Sequence, residues 1–188
     1  MIEILKFFFK THCLLNEEEL SIVLRYFKSR KVTKNTLLLF KGEICNHIYF
    51  VNKGVIRTYF VSKNSNEKTR FIAFDGSVIT ALSSFISQKP SFEYIEVLES
   101  GEVWSINYHD FNLLKETLPN WAIFYTKVLE SAYMFQNYKI EHLMTLSAKE
   151  RFENVISQNP QFLTRLPNSV FASYLDISQE TLSRIKSM

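Results

Sequence analysis

Residues 37–60 read LLLFKGEICNHIYFVNKGVIRTYF. Apolar and β-branched runs at Thr36–Phe40, His47–Val51 and Val55–Val61 are divided by KGE at 41–43 and NKG at 52–54. Short runs of this kind, broken by glycine-bearing turns, predict strands of an all-β sandwich or barrel. The texture continues outward through Thr69–Ala73, Ile95–Leu98 and Val103–Ile106, with NSNE at 64–67, DG at 75–76 and SG at 100–101 as further breaks. The glycines fall where a turn calls for positive φ. One small helix is expected at Thr80–Ser87.

On both flanks the period changes from two to about 3.6. Asn16 can cap a helix opened by Glu17, Glu18 and Glu19, and Leu20, Val23, Leu24 and Phe27 form its apolar stripe. The basic end Lys28, Arg30 and Lys31 suits a helix C-terminus, so the first 31 residues are predicted helical, with a separate short helix at 3–10. Beyond Asn107, a short helix is expected at Asp110–Thr117. Residues 120–143 contain no Gly or Pro and carry more apolar residues than one stripe needs. A second copy of the same helix is the economical cover for the surplus, with Trp121, Phe124, Val128 and Phe135 as the joining residues.

The last 42 residues form a third group. Ser147 and Glu150 make a capping-box pattern ahead of Phe152, Val155 and Ile156. Asn168–Leu175, the joint Asp176-Ile177, and a helix capped by Ser178 then match a helix-turn-helix, with Phe171, Ala172, Leu175, Ile177, Leu182 and Ile185 packed together.

Composition narrows the class. Apolar residues make up 46% and charged residues 22% of 188, which supports a sizeable core and excludes a disordered or collagen-like chain. Net charge is +3, and residues 139–188 hold 6 basic and 5 acidic residues, so charge argues neither for nor against nucleic acid. No apolar run approaches the length of a membrane span or precedes a cleavage site, and a cytoplasmic protein without membrane contact is expected. Cys13 and Cys45 are too few for an iron–sulfur cluster. His12, His47, His109 and His142 have no partner at metal-ligand spacing. No metal and no cofactor is therefore expected. With neither a P-loop nor a triad motif, an enzyme is not expected either.

The order of a helix, a β-roll, a long helix and a helix-turn-helix resembles the Crp/Fnr transcription regulators, carried by residues 37–60 and by SVFASYLDISQETLSRIK at 169–186. The resemblance implies an α+β fold: N-terminal helices and a double-stranded β-helix (a jelly-roll-like, cupin-like β-roll), a long dimerisation helix, and a three-helix C-terminal unit without the family's β-wing, since the sequence stops at Met188. It divides the chain into 1–119, 120–143 and 147–188. It also implies a homodimer on double-stranded DNA with an inverted-repeat operator, a small-molecule effector of unknown identity, and contact with RNA polymerase. Ser178, Gln179, Glu180 and Arg184 match the positions that meet DNA. Arginine can donate to guanine, glutamate can accept from cytosine and glutamine can read adenine. Arg184 and Glu180, four residues apart, could equally form a helical ion pair. Two departures stand out: Asp176 replaces the usual turn glycine, and Gln179 stands where the catabolite-activator branch has arginine.

Cyclic nucleotide binding in such regulators uses a glutamate and an arginine beside a short helix. Here those positions are Ser77 and Ser91, and no arginine lies between Arg70 and Arg151. Lys89 is the only cation of that loop, so cyclic AMP is not expected. A degenerate effector pocket around Ser77, Leu82, Phe85, Lys89 and Ser91 is read instead, and Arg57 and Arg70 are assigned to the strand surface. The competing function is a regulator-like protein that acts through protein–protein contacts or senses a small molecule without specific DNA binding.

Overall fold

Asn16 opens a helix by a reciprocal pair of bonds. Its Oδ1 accepts from Glu19 N at 2.9 Å, and Glu19 Oε2 accepts from Asn16 N at 3.0 Å. In the computed structural model, which describes residues 2–187, this helix is α2 (Glu17–Arg25) and follows α1 (Glu3–His12). The helix stops earlier than its basic tail suggested. Lys28–Val32 is strand β1, with only Val32 buried. Exposed Lys28, Arg30 and Lys31 decorate that strand, and charge of this kind protects a sheet edge from adventitious pairing.

The remaining strands are β2 (Leu37–Leu39), β3 (His47–Val61), β4 (Glu67–Ala73), β5 (Val78–Ile79) and β6 (Tyr94–Asn107), with α3 (Leu82–Ser87) between β5 and β6. The sheet order is β1-β6-β3-β4, with β2 also paired to β6 and β5 to β3. β1 runs antiparallel to β6, from Lys28 opposite Ser105 to Val32 opposite Gly101.

NKG at 52–54 and SG at 100–101 are not turns. β3 and β6 run straight through them. A Cβ on Gly101 would lie 1.9 Å from Lys53 O, and one on Gly54, at φ 116°, would lie 2.7 Å from Glu99 O. The glycines therefore let two long strands approach backbone to backbone, a second use of glycine in sheets. Gly101→Ala is expected to cost about 1–3 kcal/mol, since backbone and not a flexible side chain must yield. Urea unfolding followed by tryptophan fluorescence checks this, because Trp104 is on the same strand.

Four further elements follow α4 (Tyr108–Thr117) and α5 (Pro119–Thr145): α6 (Ala148–Gln158), α7 (Gln161–Arg165), α8 (Asn168–Leu175) and α9 (Gln179–Lys186). Asn107 caps α4 and Ser147 caps α6, the latter with the expected Ser147–Glu150 box. The short α7 lies in the connection between α6 and α8. The chain separates into two compact units. One holds the residues up to Thr58 together with Ile72–Glu130; the other holds Tyr59–Phe71 together with the residues from Ser131 on. The division falls inside α5 rather than before it, and it assigns the end of the β3–β4 hairpin to the C-terminal unit.

The core of the first unit is aromatic. Phe9, Phe27, Phe111, Trp121 and Phe124 pack with ring centroids between 5.3 and 6.4 Å. Trp121 and Phe124 are 1% and 7% exposed. They cannot join two copies, because α5 spends them on its own chain. Val128 is half-buried and lines an apolar cavity of about 60 Å³ within that core. Phe135 is half-buried and meets Phe71 edge-on at 5.3 Å in the second unit. The exposed apolar residues of α5 are others, among them Ile123, Tyr133, Met134, Ile140, Leu143 and Met144.

Among the described residues, no helix is long and apolar enough to cross a membrane, and no group of three or more His, Cys, Asp and Glu could hold a metal ion. Cys13 and Cys45 are both buried free thiols. Burial, followed by the charge of Glu19, pushes the Cys13 thiol up to about 11, away from the reactive thiolate.

Candidate nucleic-acid interface

Within the second unit, α8 and α9 pack through Phe171, Ala172, Leu175 and Leu182, each at most 2% exposed. Ile177 and Ile185, placed in the same core by the sequence, are half-buried at its margin. Ala172 has no side chain beyond Cβ to hold the helices apart, and its carbonyl accepts from Ile177 N at 3.1 Å. Lys186 Nζ donates to Asn168 Oδ1 at 2.6 Å, tying the end of α9 to the start of α8.

The joint turns on Asp176, whose φ of 55° and ψ of 46° are left-handed. Aspartate tolerates this region better than most non-glycine residues. Here it also does what glycine could not: its carboxylate forms an ion pair with Lys68 of the hairpin. The same hairpin is held by Ser173, whose Oγ accepts from Thr69 N at 2.8 Å and donates to Glu67 O at 2.8 Å. Lys139 of α5 donates to Thr69 O at 3.2 Å and Arg70 O at 2.7 Å, with its ammonium 4.0 Å from the centre of the Tyr174 ring. Burial, helped by the charge of Arg70, holds the Lys139 ammonium down to about 8, with Asp176 opposing the shift. Sequence reasoning missed this cluster because its hairpin residues lie some 70 to 110 positions from their partners and share no motif with them.

Ser178 caps α9, its Oγ accepting from Thr181 N at 3.2 Å. Ser178, Gln179, Glu180 and Arg184 are all exposed, so the structure brings the four expected DNA-facing residues to the first turns of one short helix. Ser183, four positions after Gln179, is exposed as well and was overlooked. Helical period alone could have found it. Arg184 Nη2 donates to Thr181 Oγ1 at 3.3 Å. The Glu180 carboxyl lies below its usual range, through hydrogen bonding to Ser178 first and the charge of Arg184 last, so it is an acceptor at neutral pH. A helix whose N-terminal turns present donors and acceptors free of the core has the form that enters a major groove.

The residues expected around a degenerate effector pocket have different surroundings. Leu82 lines the apolar cavity, whereas Phe85 is core, edge-on to Tyr108 and Phe111 at 5.4 and 5.5 Å. Ser91 is buried, and its hydroxyl accepts from Glu93 N at 3.0 Å and donates to Glu93 O at 3.1 Å. Lys89 is exposed and Ser77 half-buried. Arg57 is not on the surface as read. It is 4% exposed, and its Nη2 and Nε meet Glu96 Oε2 at 2.6 and 2.8 Å. A buried guanidinium needs such a partner.

A β-roll, a long helix and a helix-turn-helix follow one another in this chain, and the exposed face of its last helix is the candidate interface. Residues 29–117 match the family model of the cyclic nucleotide-binding domain. The anaerobic regulatory protein of Haemophilus influenzae is 24% identical over 183 residues, covering 91% of this chain and 70% of that protein. Among solved structures, a transcriptional regulator of the Crp/Fnr family from Eubacterium rectale superposes with a TM-score of 0.72 at 18% identity, over 91% of this chain and 82% of that one. The catabolite activator protein of Thermus thermophilus gives 0.62 at 19% identity, over 96% and 84%. At those identities the structural likeness is one of fold. In sequence and in fold the chain is similar to the Crp/Fnr family of transcription regulators.

Proposed function

We propose that the protein acts as a homodimer and reads an inverted-repeat operator through α9. The observation that carries this reading is the exposed set Gln179, Glu180 and Arg184 on a helix whose opposite side, at Leu182, is fully buried. Arg184 donates to a guanine edge or a phosphate, Glu180 accepts from a cytosine amino group, and Gln179 reads adenine. Ser178 and the first N–H groups of α9 receive a phosphate and fix the register.

The seam between copies is reassigned. Tyr133, Asn137, Ile140 and Met144 follow one another at spacings of four, three and four, and all are exposed. This is the spacing of a two-stranded coiled-coil contact, with Asn137 as a polar member of the kind that sets register. Paired along it, two α9 helices meet successive major grooves, about 34 Å apart. The β-roll, on this reading, takes no cyclic nucleotide: Arg57 is already paired with Glu96, and Ser77 and Ser91 replace the acid and base. Regulation then falls to another ligand or to a protein such as RNA polymerase.

Selection from a random duplex pool with purified protein tests the proposal. Enrichment of an inverted repeat is expected, and Arg184→Ala is expected to lose about 1–3 kcal/mol of discrimination at one position of each half-site. Retention that depends on salt but selects no sequence would indicate backbone binding alone. No retention at low salt by an intact dimer would support a regulator working through protein contacts.

A further inference from the structure

The second unit contains a cavity of about 100 Å³ between α5, α6 and α8. Its walls combine carbon, at Leu143, Val155 and Leu175, with three groups able to carry positive charge, Lys139, His142 and Arg151. No carboxylate lines it among the described residues. The amides of Asn154 and Gln158 and the phenols of Tyr138 and Tyr174 supply neutral hydrogen-bonding groups.

The hydrogen bonds of both fixed cations go to neutral acceptors, and the one carboxylate acting on Lys139, Asp176, stands outside the cavity lining. Lys139 touches the carbonyls of Thr69 and Arg70 and the ring of Tyr174. Arg151 donates from Nε to Leu175 O at 3.1 Å and from Nη1 to Leu146 O at 2.7 Å, so two of its five N–H donors are spent and its plane is set. Carbonyl oxygens orient these cations but do not neutralise them. Two like charges beside a mostly apolar cavity attract an anion and repel a metal ion. The volume is below that of an apolar cavity that takes benzene, about 150 Å³, which suits a small ligand.

We propose that this cavity binds a short-chain monocarboxylate, with the carboxylate between Lys139 and Arg151 and the alkyl tail against Leu143, Val155 and Leu175. An apolar pocket with a few convergent polar groups and a perturbed titratable residue is the usual form of a small-molecule site. The ligand would touch α5, α6 and α8 together, and Lys139 would carry its presence to the hairpin strand at Thr69 and Arg70. The site lies in the DNA-reading unit and not in the β-roll. It deepens the regulatory reading above, yet its test needs no DNA.

Butyrate and its neutral isostere butyramide are titrated calorimetrically into the full chain at pH 7. Saturable binding of one butyrate per chain is expected, with butyramide at least about tenfold weaker, the difference a charge-assisted contact supplies. Val155→Phe fills the cavity and leaves both cations in place, and Lys139→Met removes one; each is expected to weaken butyrate about tenfold or more while circular dichroism stays native. Butyrate showing only heat of dilution, butyrate and butyramide binding alike, or a folded Val155→Phe binding butyrate as the wild type does, would each overturn the proposal. A failure here leaves operator selection by the free protein intact, so the two readings fail separately.

Discussion

Phe171→Ala is expected to destabilise the helix-turn-helix by about 3–5 kcal/mol, a large share of what holds a small unit together. Phe171 is fully buried, with Phe152 and Phe162 at 5.6 and 5.4 Å between ring centroids and the Lys186 ammonium 5.7 Å from its own ring centre. Removing it leaves a cavity bounded by side chains from α6, α7 and α9, and the connection through α7 limits how far they can close on it. Both tryptophans, Trp104 and Trp121, lie in the first unit. Their fluorescence should change little, while amide exchange over residues 147–187 becomes fast. Unchanged exchange in that segment would show that Phe171 does not hold the unit together.

The second large effect concerns assembly. Ile140→Asp places a charge at the middle of the exposed α5 stripe, where a two-fold contact would set it against its own copy. Like charges brought together out of water cost several kcal/mol, so light scattering is expected to report a monomer at concentrations where the wild type is a dimer. Because a dimer binds both half-sites at once, operator retention should fall by at least about 100-fold, without any change to α9. Ile140 is 54% exposed, so folding of the separate chain should be unaffected. Ser131→Asp, exposed on the same helix but about 180° around it from Ile140, serves as the control. A dimeric Ile140→Asp would place the seam elsewhere.

These two variants also mark what could be read in advance. Phe171, Ala172, Leu175 and Leu182 were assignable as core because an apolar period within 20 residues is a local property, and caps such as Ser147 and Ser178 depend on neighbours three positions away. The face of α5 was not assignable. Its apolar residues surround the helix, and no period distinguishes those that meet the chain's own core from those left outside. Trp121 and Phe124 go inward because Phe9, Phe27 and Phe111, contributed by α1, the α2–β1 connection and α4, meet them there.

The β region shows the same limit. Glycine in NKG and SG reads as a turn by composition, and only the closeness of Lys53 O to Gly101 reveals two strands passing each other. The alternation of short apolar runs was enough to predict an all-β sandwich or barrel, which the family resemblance narrowed to a β-roll. It could not locate β1, whose residues are mostly charged and whose pairing partner lies some 70 positions later.

By itself the sequence determined the broad succession of helices, strands and helices, the capped helices and the helix-turn-helix pattern at 169–186, and the family resemblance added the expectations for 178–184, Ser77 and Ser91. All of these depend on residue type over a few turns of chain. Tertiary structure decided which side of α5 is spent internally, that Arg57 is buried on Glu96, that Asp176 has Lys68 as its partner, and that Lys139 and Arg151 share a cavity without an acid in its lining. Those outcomes depend on which distant side chains exclude water from one another, and desolvation is a property of the packed assembly that no short window of sequence contains.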